Sequence, residues 1–257
     1  MLKFERTQAI LRAIQQNGSV SLSELVEELH HSEATIRRDL AELEREGKLI
    51  RTHGGAILPQ RLALEPSYDE KRSCNWPFKK QIADCVLKAI PEGVTIYLDA
   101  GTTCLEAGIR LLERNANPIF TNSIPLLVAS CNYPGTVTAV GGEVRSISRA
   151  LVGAMSLNWL DKLYFDIVLI GASAIRDDGA VLTTEIHEAS LKAHVIEHAD
   201  KAFLLADSDK LTASATLEFT TLKQLSAWYT DHRLDRSKFA RLRKNCSATI
   251  IRTPQPS

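Results

Sequence analysis

The sequence predicts an α/β protein in two parts, a small N-terminal domain over residues 1–58 and a larger C-terminal domain over residues 78–252. In the first part, apolar residues recur at helical spacing, and two glycines then separate two short apolar runs, which is typical of a tight hairpin. In the second part, short apolar strands alternate with helices, which indicates a mostly parallel sheet covered on both faces. Residues 59–77 contain prolines and no sustained periodicity, so we expect a linker there.

Two helices are predicted near the start of the chain. Residues 5–16 carry aliphatic side chains at helical spacing, which predicts a first helix with one buried face. Ser21 and Glu24 have the spacing of a capping box, in which each side chain accepts a hydrogen bond from the other residue's backbone N–H. The box predicts a second helix over residues 22–29.

A third helix is predicted after Ser32, whose hydroxyl can accept a hydrogen bond from a free N–H of the first turn. Its inner face carries Ile36, Leu40 and Leu43. At about 100° per residue, its outer face carries Ala34, Arg38, Ala41 and Arg45. Small residues let a helix enter the DNA major groove, and arginines bond guanine edges or phosphates. Residues 21–40 are therefore predicted to form a helix-turn-helix whose second helix reads DNA.

A hairpin is predicted after this helix, with apolar runs over residues 49–53 and 56–58 joined at Gly54 and Gly55. It would make the unit a winged helix. The residues expected to contact DNA are Ser32, Thr35, Arg37, Arg38, Arg45, Lys48, Arg51 and His53. The alternative is an ordinary solvated helix face, because residues 1–61 carry as many acidic as basic side chains.

The C-terminal domain is predicted to repeat a strand, a loop and a helix. The expected strands cover residues 94–98, 118–121, 137–140, 166–170, 202–206 and 225–230. The expected helices cover residues 78–89 and 184–198, with two more that end near residues 112 and 130. Polar residues follow the strand ends, and ligands of open α/β sheets bind at that edge.

The polar loops indicate an anion site. Gly101 and the two threonines after it open a helix, where free N–H groups suit an anion. Arg145 and Lys210 are expected to balance phosphate charge, and carboxylates can accept hydrogen bonds from sugar hydroxyls. The expected effector-binding residues are Asp99, Gly101, Thr102, Thr103, Thr121, Asn122, Gly141, Gly142, Arg145, Glu188, Lys192, Asp207 and Lys210. Each feature alone is also typical of a helix start, a turn or a surface ion pair.

Length and composition fit an ordinary globular protein, with 257 residues and 31 side chains of each charge. No apolar run is long enough to span a bilayer, and the start lacks the apolar stretch of a signal peptide. The five cysteines are scattered, without metal-type spacing. We therefore expect reduced thiols, a cytoplasmic location, and no metal or cofactor.

The N-terminal motifs resemble those of the DeoR family of bacterial transcriptional regulators. The family pattern begins with an arginine followed by spaced aliphatic residues, here Arg6, Ile10 and Ile14. It continues through Thr-Ile-Arg-Arg-Asp-Leu at residues 35–40 and His-Gly-Gly-Ala at residues 53–56. The C-terminal motifs also resemble the family's, at residues 99–103, 121–123, 141–142, 171, 188 with 192, and 206–210.

The resemblance implies a regulator of a carbohydrate-metabolism operon, more often a repressor than an activator. It implies that the C-terminal domain is similar in fold to ribose-5-phosphate isomerase and binds a phosphorylated sugar or related metabolite. Partners would be operator DNA and further copies of the chain, as a homodimer or homotetramer. Two departures leave the effector's identity open: residues 207–212 read Asp-Ser-Asp-Lys-Leu-Thr rather than Asp-Ser-Ser-Lys-Phe-Gly, and Ala-Ser-Ala follows Gly171.

Two other functions fit parts of the sequence. A sugar-phosphate isomerase or hydrolase could use Glu188 or Asp207 as a base beside a carbonyl. A zinc peptidase could use His194 and His198, which match an inverted zinc motif. The third ligand in those enzymes is a glutamate far downstream, whereas the only glutamate after this segment, Glu218, is close by. The DNA-reading motif favours the regulator over both.

Overall fold

The computed structural model describes residues 3–17, 19–46, 48–52, 54–57, 65–245 and 248–255. The chain divides into two compact units, Met1–Glu65 and Pro66–Ser257. Each unit has its own apolar core. None of the helices in the described ranges is both long enough and apolar enough to cross a membrane.

The first unit contains three helices and a three-stranded antiparallel sheet. Its elements are α1 (Lys3–Asn17), β1 (Ser19–Ser21), α2 (Leu22–Leu29), α3 (Glu33–Arg45), β2 (Ile50–Thr52) and β3 (Gly55–Ile57). The strand order is β1-β3-β2, so β3 is the central strand. The predicted helices and hairpin are confirmed, whereas β1 was not predicted because three residues carry no detectable alternation.

Close backbone approach fixes how the hairpin joins the rest of the first unit. A Cβ on Gly55 would lie 2.0 Å from the Val20 carbonyl oxygen, so only glycine fits beside β1. The N–H of Leu22 also donates to the Gly54 carbonyl at 2.7 Å, which ties the start of α2 to the hairpin turn. The hairpin is therefore held at its turn as well as along its strands.

The second unit is a parallel sheet with helices on both faces. Its first elements are α4 (Tyr68–Ser73), α5 (Trp76–Leu87), β4 (Ile96–Leu98), α6 (Thr102–Arg114), β5 (Ile119–Thr121), α7 (Ile124–Ser130), β6 (Val137–Ala139), β7 (Glu143–Arg145), β8 (Ala150–Val152) and α8 (Ala154–Leu160). The later ones are β9 (Phe165–Ile170), β10 (Ala174–Ile175), β11 (Ala180–Thr183), α9 (Ile186–Glu197), β12 (Ala199–Leu205), β13 (Leu217–Thr221), β14 (Ala227–Thr230), α10 (Arg236–Asn245) and β15 (Thr249–Arg252).

The main sheet has seven parallel strands in the order β15-β14-β12-β9-β4-β5-β6. Alternate residues of the central strand β9 point into two different cores. Val168 and Ile170 join the core on one face, and Ile167 and Leu169 join the core on the other. Burial on both faces is why this strand is a continuous apolar run in the sequence.

The prediction of a mostly parallel sheet is confirmed for six of its strands. Strand β15, the antiparallel sheet β10-β11-β13 and the β7-β8 hairpin were not predicted. Within the range expected to be a linker, α4 begins at a capping box of Ser67 and Glu70, and Tyr68 enters the core. Residues 59–64 of that range lie outside the described residues.

Candidate nucleic-acid interface and effector site

The third helix of the first unit begins and packs as its sequence predicts. The Ser32 hydroxyl accepts a hydrogen bond from the Thr35 N–H at 3.4 Å and lies 2.9 Å from the Thr35 hydroxyl. Ile36, Leu40 and Leu43 are buried in the core of the first unit. The predicted inner face is confirmed, and the opposite face of α3 is left to solvent.

A buried ion pair fixes α3 against α1. Arg6 donates from Nε to Asp39 at 2.5 Å and from Nη2 to the other carboxylate oxygen at 3.2 Å. Both side chains are at least nine-tenths buried. Both residues belong to the family pattern, but neither was predicted to form an ion pair. Asp39 lies three residues after buried Ile36, on the inner face of the helix, and this placement was the available signal.

The arginines of the exposed face differ in what already engages them. Arg37 is paired with Glu33 one turn earlier, at 2.6 Å. Arg38 is exposed, and no described residue forms an ion pair or hydrogen bond with its guanidinium. Arg45 is also exposed, at the last position of α3. On the outer face of α3, Arg38 and Arg45 thus have no hydrogen bond or ion pair to a described residue, whereas Arg37 already has a partner.

The cations near the hairpin are held by acidic neighbours. Lys48 pairs with Glu46 at 2.7 Å, and the Arg51 guanidinium lies 3.9 Å from Glu44, which also accepts a hydrogen bond from the Arg51 backbone N–H at 3.0 Å. His53, which was also expected to contact DNA, lies outside the described residues. The hairpin cations therefore stand next to carboxylates that reduce the local positive charge.

In the second unit, an ion pair lies at the carboxyl ends of β4 and β9. The Lys192 ammonium donates to Asp99 and, at 3.2 Å, to the Gly171 carbonyl oxygen. The Gly171 N–H donates back to Asp99 at 3.0 Å. Gly101 packs against Gly171, where added Cβ atoms would meet the opposing backbone within 3.4–3.5 Å. Four of the positions that matched family motifs are thus in direct contact.

The charge of Lys192 is stabilised inside this network. Burial by itself lowers the pKa of the ammonium, but the carboxylates of Asp99 and Glu188 outweigh burial and raise the pKa above its usual value. Lys192 therefore stays protonated as a fixed positive charge at the sheet edge. Its direct partner is Asp99, and not Glu188, which lies one turn earlier in α9.

Glu188 instead belongs to a second cluster built on the β7-β8 hairpin. Its carboxylate accepts hydrogen bonds from Arg145 at 3.1 Å and from the Thr183 hydroxyl at 3.3 Å. Glu185 lies 4.0 Å from the same guanidinium. Arg145 is therefore engaged by carboxylates of α9 and is not free to balance a phosphate by itself.

The end of β5 contributes an unsatisfied acceptor. The Asn122 side chain is buried and donates to the Leu151 carbonyl of β8 at 3.2 Å. Its side-chain oxygen is buried and has no hydrogen-bond partner among the described residues. The neighbouring Thr121 hydroxyl is used internally, because it donates to the Leu98 carbonyl at 2.7 Å. Asn122 thus has an unused acceptor, whereas the Thr121 hydroxyl is bonded within the strand end.

The glycine pair after β6 permits a close approach of β8. A Cβ on Gly142 would lie 2.3 Å from the Ser156 hydroxyl and 2.4 Å from the Val152 carbonyl oxygen. The Ser156 hydroxyl donates to the Gly141 carbonyl at 2.6 Å. Gly142 therefore has a packing role, whereas a Cβ on Gly141 would meet no atom within 4 Å.

Asp207 and Lys210 lie in a third group, after β12. Asp207 accepts hydrogen bonds from the Asn75 side chain at 3.1 Å and from the Asp209 N–H at 3.2 Å. Near them, Asp231 accepts from the Ser208 N–H at 2.7 Å and from Arg233 at 2.9 Å. Hydrogen bonds from Arg233 and from these backbone groups outweigh burial and lower the pKa of Asp231.

Lys79 of α5 is a buried lysine that was not singled out from the sequence. Its side chain is 4 % exposed, and its ammonium donates to the Lys71 carbonyl of α4. Burial lowers its pKa to about 8, with nearby Asp207 opposing that change and Lys210 adding to it. The available signal was its position three residues before buried Ile82, on the apolar face of α5.

The zinc alternative has no support in the described residues. The rings of His194 and His198 stack on each other with centroids 4.1 Å apart. Glu218 pairs with Arg176 at 3.2 Å. No group of three or more potential metal ligands occurs in the described part of the chain.

A winged helix-turn-helix followed by an α/β domain with polar strand ends defines a one-chain transcription regulator. The DeoR-like helix-turn-helix domain matches residues 6–61, and the DeoR C terminal sensor domain matches residues 75–232. The chain belongs to the DeoR family of transcriptional regulators. This membership confirms the family and the regulator prediction, and it disfavours the isomerase alternative.

Curated relatives are similar over nearly their whole length. The HTH-type transcriptional regulator GlpR of Haloferax volcanii is 32 % identical over 235 residues, 91 % of this chain and 92 % of that protein. The glycerol-3-phosphate regulon repressor of Escherichia coli is 32 % identical over 234 residues, 90 % of this chain and 92 % of that protein. The lactose phosphotransferase system repressor of Staphylococcus epidermidis is 33 % identical over 236 residues, 90 % of this chain and 93 % of that protein.

Among solved structures, ribose 5-phosphate isomerase A from Methanocaldococcus jannaschii is similar over 53 % of this chain and 55 % of that one. The sequence identity is 17 % and the TM-score 0.41.

Proposed function

We propose that this protein is a repressor that binds operator DNA through α3 and the hairpin, and that a phosphorylated sugar or related small phosphoester controls its affinity for DNA. The observation that carries the DNA-binding part is the outer face of α3. The helix is capped at Ser32 and packs through its inner side, and its outer face presents Arg38 without a hydrogen-bond or ion-pair partner among the described residues. Arginine in that position can reach guanine edges or phosphates.

The wing and the flanking groups of α3 complete the proposed interface. Thr35, Arg45, Lys48, Arg51 and His53 are assigned to backbone positioning, which fixes register without reading sequence. Arg37 joins them once DNA phosphates replace its partner Glu33. This division predicts that Arg38 governs specificity and that the remaining cations govern overall affinity.

The proposed effector site lies at the carboxyl ends of the parallel strands. The N-terminus of α6 at Gly101, Thr102 and Thr103 supplies N–H donors for the phosphate group. The unsatisfied oxygen of Asn122 accepts a hydrogen bond from a sugar hydroxyl. Names of relatives support a small phosphorylated effector, because one of them is a repressor of a glycerol-3-phosphate regulon.

Further copies of the chain complete the proposal. A helix-turn-helix regulator reads repeated half-sites with two reader helices, so we assign the protein a homodimeric or homotetrameric state. The effector changes DNA affinity only by the difference in its affinity for the free and the DNA-bound conformations.

Operator binding is tested with two single variants, each of which removes one exposed arginine of the first unit. Genome-wide occupancy mapping of the full-length protein first defines bound loci, and gel shifts at fixed salt then measure affinity for them. Arg38→Ala should weaken operator binding by about 1–3 kcal/mol and relax discrimination among related sites. Arg12→Ala, which removes an exposed arginine from α1, is the control and should leave discrimination unchanged. Equal losses in the two variants would refute the role of Arg38.

Effector control is tested separately. A thermal-shift screen of phosphorylated sugars and of glycerol 3-phosphate identifies ligands, and each hit is then added to the gel shift. The proposal requires at least one hit to change operator affinity. Binding without any change in operator affinity would show that the second unit is not a sensor for DNA binding.

A further inference from the structure

Helix α10 carries a concentrated positive charge. It contains five basic residues and no acidic residue within its ten positions. The whole chain is balanced, with 31 basic and 31 acidic side chains, so α10 departs clearly from the average composition. The reader helix α3 departs in the other direction, because it has three basic and four acidic residues. The helix that is proposed to read DNA is thus net negative, whereas α10 is strongly positive.

Packing leaves one side of α10 exposed. Leu242 is buried in the core of the second unit, and Phe239 packs against the same core. Arg236, Ala240 and Arg243 are exposed and lie at i, i+4 and i+7, so they follow one another along a single side of the helix. Because Ala240 is small, a partner can approach the helix backbone between the two arginines.

The two arginines on this side contribute no polar contact to the fold. Neither Arg236 nor Arg243 forms a side-chain ion pair or hydrogen bond with a residue that the structure describes. Arg241 differs from them, because it pairs with Asp177 at 3.3 Å. The carboxylate of Asp235, just before the helix, accepts hydrogen bonds from backbone N–H groups of the first turn. Arg236 and Arg243 are therefore available to an anion outside the chain.

The basic residues also work against the stability of α10 itself. Arg236 occupies the first position of the helix, where the partial positive charge of the helix dipole repels a cation. Lys238 and Arg241 lie three residues apart, and like charges at this spacing destabilise a helix. These charges therefore need a reason other than helix stability, and a bound polyanion would relieve both repulsions.

The first unit lacks the net positive charge that α10 offers. Phosphate contacts supply most of the sequence-independent affinity of proteins for DNA, which carries one negative charge per about 1.7 Å of its axis. Residues 1–61 carry as many acidic as basic side chains, and Arg37, Lys48 and Arg51 lie beside carboxylates. A DNA-binding chain with a neutral reader unit thus gains electrostatic affinity from a basic surface elsewhere.

We propose that Arg236 and Arg243 of α10 bind phosphate groups of DNA and add sequence-independent affinity to the sequence-specific contacts of α3. This inference rests on the proposed function and adds a DNA-contacting surface on the second unit. Arginine suits the role because its planar guanidinium donates hydrogen bonds to phosphate oxygens in a fixed geometry. The surface lies beyond residues 75–232, which match the DeoR C terminal sensor domain, and it includes none of the expected effector-binding residues.

The test measures how salt weakens DNA binding by the full-length protein. Fluorescence anisotropy gives the dissociation constants for a mapped operator duplex and for a scrambled duplex of equal length and composition, between about 50 and 200 mM salt. The α10 variant is Arg236→Gln with Arg243→Gln, because glutamine is polar and forms helices well. The control is Lys88→Gln with Lys162→Gln, which removes the same net charge from exposed positions outside α10.

The α10 variant should bind both duplexes with a weaker salt dependence. Each lost phosphate contact reduces the slope of log affinity against log salt by about 0.9, so two lost contacts reduce it by about 1.8. Between about 50 and 200 mM salt, the affinity of the variant should fall about tenfold less than that of the wild type. The ratio of the affinities for the two duplexes should not change, because phosphate contacts carry no sequence information.

Failure of this inference can be distinguished from failure of the proposed function. An unchanged slope in the α10 variant, or an equal change in the control, would overturn the inference, and a preference for the operator duplex would still support the proposed function. A wild type without that preference would instead refute sequence-specific binding. The thermal midpoint of the α10 variant should match or exceed that of the wild type, and a lower midpoint would assign the arginines to the fold and overturn the inference.

Discussion

Removal of Arg6 should unfold the DNA-binding unit although Arg6 does not lie on the proposed DNA-reading face. In Arg6→Met the carboxylate of Asp39 keeps its burial and loses the guanidinium that compensates it. Breaking a buried pair in this way costs about 3–5 kcal/mol. A unit of this size is stable by only about 3–10 kcal/mol in total, at roughly 0.05–0.15 kcal/mol per residue. The substitution therefore removes most of the stability of the first unit.

Hydrogen exchange on the full-length chain measures this loss unit by unit. Exchange of the slowest α3 amides should accelerate by about 10²- to 4 × 10³-fold, since each 1.4 kcal/mol is a factor of ten, and operator binding should fall with it. Exchange in the second unit should not change. The double variant Arg6→Met with Asp39→Leu is the control, because an apolar pair of similar volume restores stability where a lone charge does not. A loss below about 1 kcal/mol in the single variant, or an equally unstable double variant, would refute the reasoning.

Three more outcomes follow from contacts in the two units. Gly55→Ala places a Cβ 2.0 Å from the Val20 carbonyl oxygen, so β1 and β3 must separate. The amides of the first unit should lose their protection from hydrogen exchange, and operator binding should be lost. The thermal transition of the second unit should not change. The lowered pKa of Lys79 means that the unfolded chain binds more protons between about pH 8 and 10.5, so stability rises with pH across that window by about 3 kcal/mol. The free energy of unfolding in urea, measured for the wild type minus that of Lys79→Met, should rise over this pH window. A difference that does not change with pH would contradict the prediction. Lys192→Met leaves Asp99 buried without its ammonium partner and should lower the free energy of unfolding in urea by about 3–5 kcal/mol. An unchanged urea midpoint would show that this ion pair does not stabilise the second unit.

Local signals in the sequence predicted the first unit closely. The capping box at Ser21 and the N-cap at Ser32 fix the starts of α2 and α3, and each depends on residues no more than three apart. Six of the seven parallel strands were also predictable, because burial on both faces makes each of them an apolar run. Helix and strand positions were therefore accessible wherever the cause lies within a few residues.

Features whose partners are distant in the chain were not predictable. Arg6 and Asp39 are separated by 33 positions, and either one alone is typical of an exposed charge. Strands β10, β11 and β13 contain two to five residues each and become strands only by pairing with one another. The proposed site shows the same limit. Its residue types were recognisable, but the partner of Lys192 and the burial of Lys79 depend on how separate elements pack.

The separation of the two faces of α3 has a consequence for how such regulators diversify. The N-cap and the inner side of α3 hold the helix in place, and Glu42 and Glu44 add contacts at the edges of the outer face. Ala34 and Arg38 are exposed, and their side chains make no hydrogen bond or ion pair with the described residues. A duplicated gene can therefore acquire a new target sequence by changing two or three outward positions, while its scaffold continues to fold unchanged. Grafting those outward residues from one paralogue onto another should transfer promoter choice without transferring the inducer.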